Sequence, residues 1–368
     1  MNTELTYKIA VSLIPGIGPV LAKNLIAYCG SPDAIFTEKI AVLKKIPGIG
    51  DKLAAAIKSA DVLNRAEEEV RFILKNNIRT LFYLDSDYPH RLKECSDAPI
   101  VLFYRGNDVF DAPYILSIVG TRNATEYGKT VCNLLIEQLA SLNIPLVIVS
   151  GLAYGIDICA HKASIKNNLP TVASLAHGLD RIYPGNHASV AKEMLEKGAL
   201  VTEFLSQTNF VRENFLRRNR IIAGLADATL VIESAVKGGA LVTADIAHSY
   251  DRDVLAVPGS ISSEYSKGCN FLIKNNKAAL IESADDIISA LNWNIGNKKP
   301  QAIQQKLFVE LSPNEEKIRA ILMESDHTID SIFIKSGLEM SKISASLLEM
   351  EFKGLVKNLP GKVFSLTK

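Results

Sequence analysis

The 368-residue sequence has little that would mark a secreted, membrane-bound or metal-binding protein. Its five cysteines are scattered and none forms a C-x-x-C pair, so neither a disulfide framework nor a zinc site is predicted. No apolar run approaches the ~18 residues that cross a bilayer, and the N-terminus lacks a signal-peptide pattern. We therefore expect a cytoplasmic protein with reduced thiols, without metal, cofactor or membrane partner.

The chain also lacks an excess of charge of one sign. Its 41 Lys and Arg residues nearly cancel its 40 Asp and Glu residues, which leaves a formal net charge of +1. Any site for a polyanion must therefore be local. Hydrophobic residues make up 48% of the sequence, which excludes a disordered chain and, at this length, predicts two or three packed domains.

Residues 1–75 are predicted to form a helical domain with an internal repeat. The tetrapeptide PGIG occurs at residues 15–18 and 47–50, each time between two helical patterns. Its glycines allow a tight turn that leaves backbone N–H groups free to bind phosphate at the next helix start. The pair resembles tandem helix-hairpin-helix motifs of the SAM-like type, which bind the backbone of duplex DNA, with Lys23, Lys52 and Lys58 adding charge. The alternative is that both turns only connect helices.

Residues 76–293 alternate short β-branched runs with helical patterns, which predicts an α/β fold with an extended Rossmann-like parallel sheet covered on both faces. The predicted strands begin near Tyr114, Pro145, Thr171, Ala199, Ala228 and Asp253. Two further extended segments, from Arg79 and Ile100, are expected to join this domain. Residues 294–305, rich in Asn, Gln and Lys, are predicted to be a linker.

Residues 306–368 are predicted to form a winged helix, with helices from Ser312, Ile329 and Ser341 and a closing hairpin. The third helix would be the recognition helix. Its Lys342 and Lys353 are opposed by two glutamates, Glu349 and Glu351. The recognition helix is therefore about equally suited to contact DNA or a protein partner.

Ligands of an open parallel sheet bind beyond the carboxyl ends of its strands. Five turns at this edge carry glycine or small polar residues: 120–123, 150–157, 176–180, 233–240 and 257–260. Together they favour a phosphate-rich ligand. No G-x-G-x-x-G follows a strand and no complete Walker A motif is present, so a nicotinamide dehydrogenase and an ATPase are disfavoured.

Residues 209–225 concentrate positive charge around one acid, Glu213. The basic residues are Arg212, Arg217, Arg218 and Arg220. Arginine forks match phosphate oxygens, and Phe210 and Phe215 interleave with them, as in a groove for a single nucleic-acid strand. The alternative is a basic helix face over core phenylalanines, with Arg220 paired to an internal carboxylate such as Asp245.

Catalytic groups are not evident at this edge. His161 and His177 lack the spacing of metal ligands and are predicted to be structural. Asp157, Asp180 and Glu203 could form an acid/base pair, but carboxylates beside such turns more often orient arginines or cap helices. We therefore expect a binding protein rather than an enzyme.

The stretch from residue 119 to 273 resembles the DNA-processing protein A family. The resembling segments are VGTR, SGLAYGID, HGLDRIYPGN, RRNRIIAGL, VKGGALVTA, DVLAVPG and SKGCNFLI. The resemblance implies a non-enzymatic homodimer that binds single-stranded DNA, protects incoming DNA and loads the RecA recombinase onto it in natural transformation.

The resemblance also implies site residues. Those for nucleic acid are Gly120, Thr121, Arg122, Ser150, Gly151, Arg212, Phe215, Arg217, Arg218, Asn219, Lys237 and Gly239. Arg122 and Arg212 would hold phosphates, Phe215 would stack on a base, and the turns at residues 150 and 237 would rim the pocket with backbone N–H groups. The expected dimer contacts are Asn270, Ile273 and Ala279.

The sequence departs from the family pattern at two places on the carboxyl edge of the predicted sheet. Tyr154 replaces the usual arginine, and residues 238–240 read GGA in place of the commoner SGS. Two other functions remain open. One is a nucleoside-monophosphate phosphoribohydrolase on a related sheet, although its PGG-x-GT-x-x-E signature is missing. The other is a partner-binding scaffold with a degenerate pocket.

Overall fold

The computed structural model describes residues 3–59, 61–295, 311–353, 355–359 and 363–366. The chain divides into two compact units, one up to residue 295 and one after it. The predicted boundary between a helical domain and a sheet domain at residues 75 and 76 falls inside the first unit and stays a prediction. Most of the predicted linker, from residue 296 to 305, lies outside the described residues.

The described residues up to 75 form six helices in the first unit: α1 (Thr3–Leu13), α2 (Pro19–Cys29), α3 (Pro32–Thr37), α4 (Ile40–Leu43), α5 (Asp51–Ser59) and α6 (Leu63–Lys75). The PGIG turns precede α2 and α5. Gly16 and Gly48 both have positive φ, at +79° and +84°, which favours glycine. Leu53 packs against Gly16 and Leu21 packs against Gly48, so the two hairpins interlock reciprocally. The predicted tandem motif is confirmed.

The rest of the first unit is a nine-stranded sheet with helices on both faces. Its strands are β1 (Arg79–Phe82), β2 (Val101–Gly106), β3 (Tyr114–Val119), β4 (Leu146–Ser150), β5 (Thr171–Ser174), β6 (Ala199–Thr202), β7 (Ala228–Val231), β8 (Asp253–Ala256) and β9 (Ala279–Leu280). Its helices are α7 (His90–Lys93), α8 (Glu126–Ser141), α9 (Ile156–Lys166), α10 (Ala188–Met194), α11 (Arg212–Leu225), α12 (Gly239–Ser249), α13 (Lys267–Lys274) and α14 (Ala284–Ala290).

The strand order is β1-β2-β6-β5-β4-β3-β7-β8-β9. Strands β3 to β9 are parallel, while β2 pairs antiparallel with both β6 and β1. The predicted Rossmann-like sheet is confirmed, and its six predicted strand starts lie within one residue of the observed ones. Because the chain moves outward from β3 in both directions, the order reverses between β3 and β7, where a ligand crevice is expected.

Side chains of β3 show why both faces of the sheet are covered. Leu116 and Ile118 pack with the core that includes α8 and α9, whereas Ile115 and Val119 pack with the core that includes α11 and α12. A strand buried on both faces needs a nearly continuous apolar run, and this segment provides one. Its one hydroxyl residue besides Tyr114, Ser117, bonds to β7.

In the residues that the structure describes, the second unit has three helices and a small sheet: α15 (Pro313–Glu324), β10 (His327–Thr328), α16 (Ile329–Ser336), α17 (Met340–Phe352), β11 (Val356–Leu359) and β12 (Val363–Leu366). Ser312 and Glu315 form a capping box at the start of α15, and Gly337 ends α16 with φ +65°. The predicted winged helix is confirmed. Lys342 pairs with Glu339 at 3.4 Å and Lys353 with the buried Glu315 at 2.6 Å, so both lysines of the recognition helix already face acids.

Candidate nucleic-acid interface

Two turns at the carboxyl edge of the sheet pack directly against each other. The backbone N–H of Ile156 donates to the carbonyl of Thr121 at 3.2 Å, and Thr121 N–H donates to the carbonyl of Glu233 at 2.7 Å. Gly120 makes room for Ile156, since a Cβ there would lie 2.4 Å from Ile156 Cγ1. The predicted shaping role of Gly120 and Thr121 is therefore visible as a fixed turn that presents Arg122 to solvent.

Arg122 lies over an aromatic ring from a different element. Its guanidinium carbon is 5.4 Å from the ring centroid of Phe215, which is half-buried in the first turn of α11. This is the distance of a cation–π contact. The structure thus brings together the predicted phosphate-binding arginine and the predicted base-stacking ring.

Further aromatic rings extend from this pair. The ring of Tyr183 lies 6.2 Å from that of Phe215 and 4.9 Å from that of Phe210, and the guanidinium of Arg181 lies 5.1 Å from the Phe210 ring. Tyr183 is 47% exposed and Phe210 41% exposed. We call Arg122, Phe215, Tyr183, Phe210 and Arg181 the stacking surface.

Sequence analysis missed Tyr183 and Arg181 as site residues. Both lie in the HGLDRIYPGN segment that follows β5, at the same edge as the other turns. The sequence signal for these two site residues is an arginine and a tyrosine two positions apart, directly after a central strand. Tyr154, which replaces the family's usual arginine, is 45% exposed, and its ring lies 5.0 Å from that of His187.

Arg218 lies beneath this surface. It is only 4% exposed, and its guanidinium donates to the carbonyls of Gly151 and Ser174 and to Oδ1 of Asn219. Burial lowers the pKa of Arg218 to about 10. Burial also raises the pKa of Asp157, although the charge of Arg218 opposes that shift. Arg218 and its neighbours hold the turn after β4 in place.

The start of the turn after β4, at Ser150 and Gly151, is correspondingly interior. Ser150 is fully buried, and its hydroxyl donates to the carbonyl of Ile118 at 2.6 Å. A Cβ on Gly151 would lie 2.1 Å from Arg218 Nη1, so the glycine leaves space for the guanidinium. The side chains of Ser150 and Arg218 are thus bonded inside the protein, whereas Gly151 lines the same cavity as Arg122 and Phe215. Their predicted roles as contacts to nucleic acid stay predictions.

Two further arginines of α11 share one carboxylate. Glu203 accepts from Arg217 at 3.2 Å and from the buried Arg220, which also donates to the carbonyl of Asp97. The proposed pairing of Arg220 with Asp245 is wrong, since Asp245 pairs with Lys277 at 3.3 Å. Glu203 therefore orients arginines, as carboxylates beside such turns often do. Arg212 is exposed at the first position of α11.

Two helix N-termini flank the crevice between β3 and β7, and they differ. At α8, Thr125 is the N-cap, and the buried carboxylate of Glu233 accepts from the N–H of Thr125 at 2.9 Å and from its hydroxyl at 2.6 Å. An internal carboxylate thus occupies the place where an anion would bind. At α12 the N-cap is Gly238, which has no side chain, and the neighbouring Lys237 is exposed.

The family model for DNA recombination-mediator protein A matches residues 79–292 of the chain. The chain belongs to this family. Two flanking models also match, a SAM-like tandem helix-hairpin-helix over residues 10–60 and a DprA winged-helix domain over residues 302–362.

Individual members of the family are similar over long stretches. Protein Smf of Synechocystis is 31% identical over 98% of both chains, and DNA processing protein DprA of Bacillus subtilis is 38% identical over 59% of this chain and 72% of its own. The crystal structure of Streptococcus pneumoniae DprA aligns with a TM-score of 0.66 and 29% identity, over 77% of this chain and 97% of that one. A Helicobacter pylori DprA structure, described as revealing a single-stranded DNA binding mode, aligns with a TM-score of 0.53 and 29% identity, over 58% and 95%.

The two histidines near the edge of this family member are interior. Burial lowers the pKa of His161 to about 3 and also lowers the pKa of His177. Asp180 pairs with Arg181 at 2.9 Å. Within the described part of the chain, no group of three or more His, Cys, Asp or Glu side chains could hold a metal ion. No helix in that part is long and apolar enough to cross a membrane.

The three lysines of the N-terminal hairpins are placed differently. Lys23 donates to the carbonyls of Cys95 at 3.4 Å and Ser96 at 3.1 Å, and Lys58 donates to the carbonyl of Phe36 at 2.6 Å. Lys52 is exposed in the first turn of α5. The first hairpin therefore uses its lysine to contact the sheet part of the unit, and the two exposed lysines, Lys52 and Lys58, belong to the second hairpin.

The predicted dimer residues lie at the far edge of the sheet, in α13 and β9. The side chain of Asn270 exchanges hydrogen bonds with the backbone of Gly259, at 2.9 and 3.2 Å, so it is engaged within the chain. Ile273 is half-buried against the core, while Ala279 is exposed on the edge strand. Phe271 is an exposed ring on the same helix.

Proposed function

We propose that this protein binds single-stranded DNA along the stacking surface. The observation that carries the proposal is the contact of Arg122 with Phe215, continued by the exposed rings of Tyr183 and Phe210 and by Arg181. An arginine beside a ring provides a phosphate ligand next to a base platform. The described single-stranded DNA binding of the H. pylori relative supports the same ligand class here.

Binding at this surface needs no sequence preference. Each stacked base contributes about 1–3 kcal/mol whatever its identity, and phosphate neutralisation contributes the rest. The chain as a whole is nearly neutral, so attraction to DNA must come from local arginines. The occupied N-terminus of α8 leaves the Arg122 side chain as the phosphate-binding group of its turn.

The finer role proposed is that of a mediator. The bound strand would be protected from nucleases and handed to the RecA recombinase during natural transformation, by a homodimer that pairs through α13 and β9. Membership of the recombination-mediator family supports this role. Duplex DNA would bind, if at all, at the second hairpin, where Lys52 is exposed.

Fluorescence anisotropy of a labelled single strand, against a duplex of equal length, tests the main proposal. Wild type should prefer the single strand, with log K falling by about 0.7 per neutralised phosphate per decade of salt. Arg122→Ala should weaken binding and flatten this slope. Arg71→Ala removes an exposed arginine of α6 and serves as the control that leaves both unchanged. Stronger duplex binding that is insensitive to Arg122→Ala would move the DNA site to another part of the chain.

RecA loading requires a separate assay. On single strands coated with single-strand binding protein, wild type should shorten the lag of RecA filament assembly, and Arg122→Ala should not. An equal lag with and without the protein would refute the loading role while leaving DNA binding intact.

We also propose that the protein is not an enzyme. A phosphoribohydrolase would hold its nucleotide phosphate at a helix N-terminus beside the crevice. At α8 that place holds Glu233, and at α12 the sequence lacks the phosphoribohydrolase signature. Purified protein incubated with the common nucleoside monophosphates should release no free base. Release of base that is abolished by a change at the sheet edge would contradict the proposal.

A further inference from the structure

Two thiols meet where α8 packs against α9, at a place the proposed DNA site does not use. Sγ of Cys159 lies 3.6 Å from Nδ2 of Asn133 and 3.7 Å from the carbonyl oxygen of Lys129. Lys129 and Asn133 are one turn apart in α8, and Cys132 lies on the same face. Cys159 packs against the buried cluster that contains Cys132. All five cysteines are free thiols in this structure.

The two thiols have different surroundings. Cys132 is fully buried, whereas Cys159 is partly exposed. The neighbouring Cys132 thiol lowers the pKa of Cys159, and the charges of Lys129 and Lys162 act in the same direction, while burial opposes them. Oxidants react with a thiolate, so an accessible cysteine with a lowered pKa is the reactive type.

The other cysteines provide an internal contrast. Burial raises the pKa of Cys95 to about 11 and that of Cys269 to about 12. Cys29 is partly exposed, as Cys159 is, but burial raises its pKa. Exposure alone therefore does not distinguish Cys159; its neighbours do.

We propose that Cys159 and Cys132 are a peroxide-sensitive modification site that closes to a disulfide between α8 and α9. The Cys159 thiolate attacks one oxygen of hydrogen peroxide and breaks the O–O bond. The hydroxide that leaves takes up a proton to become water, and Cys159 becomes a sulfenic acid. The Cys132 sulfur then attacks the Cys159 sulfur and expels a second water. Two thiols are oxidised and one peroxide is reduced.

The position of the pair connects it with the rest of the molecule. Helix α8 follows the turn that presents Arg122, and α9 follows the turn that packs on it. A bond between the helices would fix their separation directly behind both turns. The chemistry itself does not depend on the proposed DNA binding, so the two proposals stand or fall separately.

Peptide mapping of the full-length protein tests the site without any substitution. The protein is treated with hydrogen peroxide, its remaining thiols are alkylated, and its peptides are analysed by mass spectrometry without reduction. We expect a linked pair containing Cys132 and Cys159 that is released by dithiothreitol. It should form at least roughly tenfold faster than Cys29 is oxidised.

Variants identify the order of the two steps. In Cys132→Ala, Cys159 should accumulate as a sulfenic acid that dimedone traps, and in Cys159→Ala, Cys132 should stay reduced. Oxidation of Cys29 as fast as that of Cys159 would overturn the proposal. So would conversion of wild-type Cys159 to sulfinic acid without a bond to Cys132.

Discussion

Helix α11 carries four arginines in nine residues, and its two sides use them in opposite ways. Arg212 and Arg217 are exposed, whereas Arg218 and Arg220 are buried. The buried pair uses its N–H groups on carbonyls and on Glu203, so its guanidinium groups are engaged inside the protein. A cluster of arginines in a sequence is therefore not one functional unit; here one half shapes the site and the other half faces the solvent.

The largest expected effect is on the buried side. Replacing Arg218 by Met leaves the carbonyls of Gly151 and Ser174 without their donor, which should lower the free energy of unfolding by about 2–5 kcal/mol. Arg217→Met, on the exposed side, is the matched control and should cost less than about 1 kcal/mol. Urea unfolding measures both. Equal stabilities of the two variants would remove the distinction between the sides.

On the exposed side, Phe215→Ala should weaken binding to single-stranded DNA by about 1–3 kcal/mol, because one stacking platform is lost. Anisotropy titration measures this, and circular dichroism checks that the variant is folded. Leu216→Ala removes an exposed apolar side chain from the neighbouring position and should bind as wild type does. Equal losses in both variants would show that the ring itself does not stack.

The buried Arg218 of α11 also contributes to a pH dependence of stability, through the buried His161 of α9. Burial, followed by the charge of Arg218, lowers its pKa from 6.5 to about 3, so the folded protein keeps it neutral. Below pH 6.5 the unfolded chain binds a proton that the folded state does not. Stability is therefore present above that pH and is lost as the pH falls towards 3, by about 1.4 kcal/mol per unit for this group.

Urea unfolding at several values between pH 7 and pH 4.5 measures this slope. In His161→Gln it should be smaller by that amount per unit. An unchanged slope would mean that His161 is protonated in the folded protein.

The smallest expected effect separates the two exposed arginines. Arg212→Ala should reduce the salt dependence of DNA binding by about 0.7 in log–log slope, the value for one phosphate contact. Arg217→Ala should reduce it less, because Arg217 already pairs with Glu203 and lies over the Phe204 ring at 5.1 Å. A larger change for Arg217 would mean that this ion pair opens when DNA binds.

Sequence patterns predicted the sheet well, because buried parallel strands are continuous apolar runs between glycine-containing turns. The same patterns also indicate that residue 218 is buried, although a charged side chain by itself suggests an exposed position. Asn214, Arg218, Ile221 and Leu225 follow a helical repeat and form one buried stripe of α11. Taking the apolar members alone places residue 218 inside.

Other features depend on tertiary distances that no local pattern contains. Glu233 reaches the N-terminus of α8 across more than a hundred residues of sequence, and Gly128 has to be a glycine to admit its carboxylate. The approach of Tyr183 to Phe210 and Phe215 likewise joins the turn after β5 to the start of α11. Turn composition predicted which edge of the sheet carries the stacking surface. It did not predict which side chains form that surface together.

The space at Gly151 has a consequence for how this protein tolerates change. A side chain at position 151 and the guanidinium of Arg218 would compete for one volume, 67 positions apart in the chain. In a saturation mutagenesis library, every substitution of Gly151 should therefore score as deleterious while Arg218 is present. Substitutions of Gly151 should be tolerated only in double variants that also have a shorter side chain at position 218. The two positions should therefore change together.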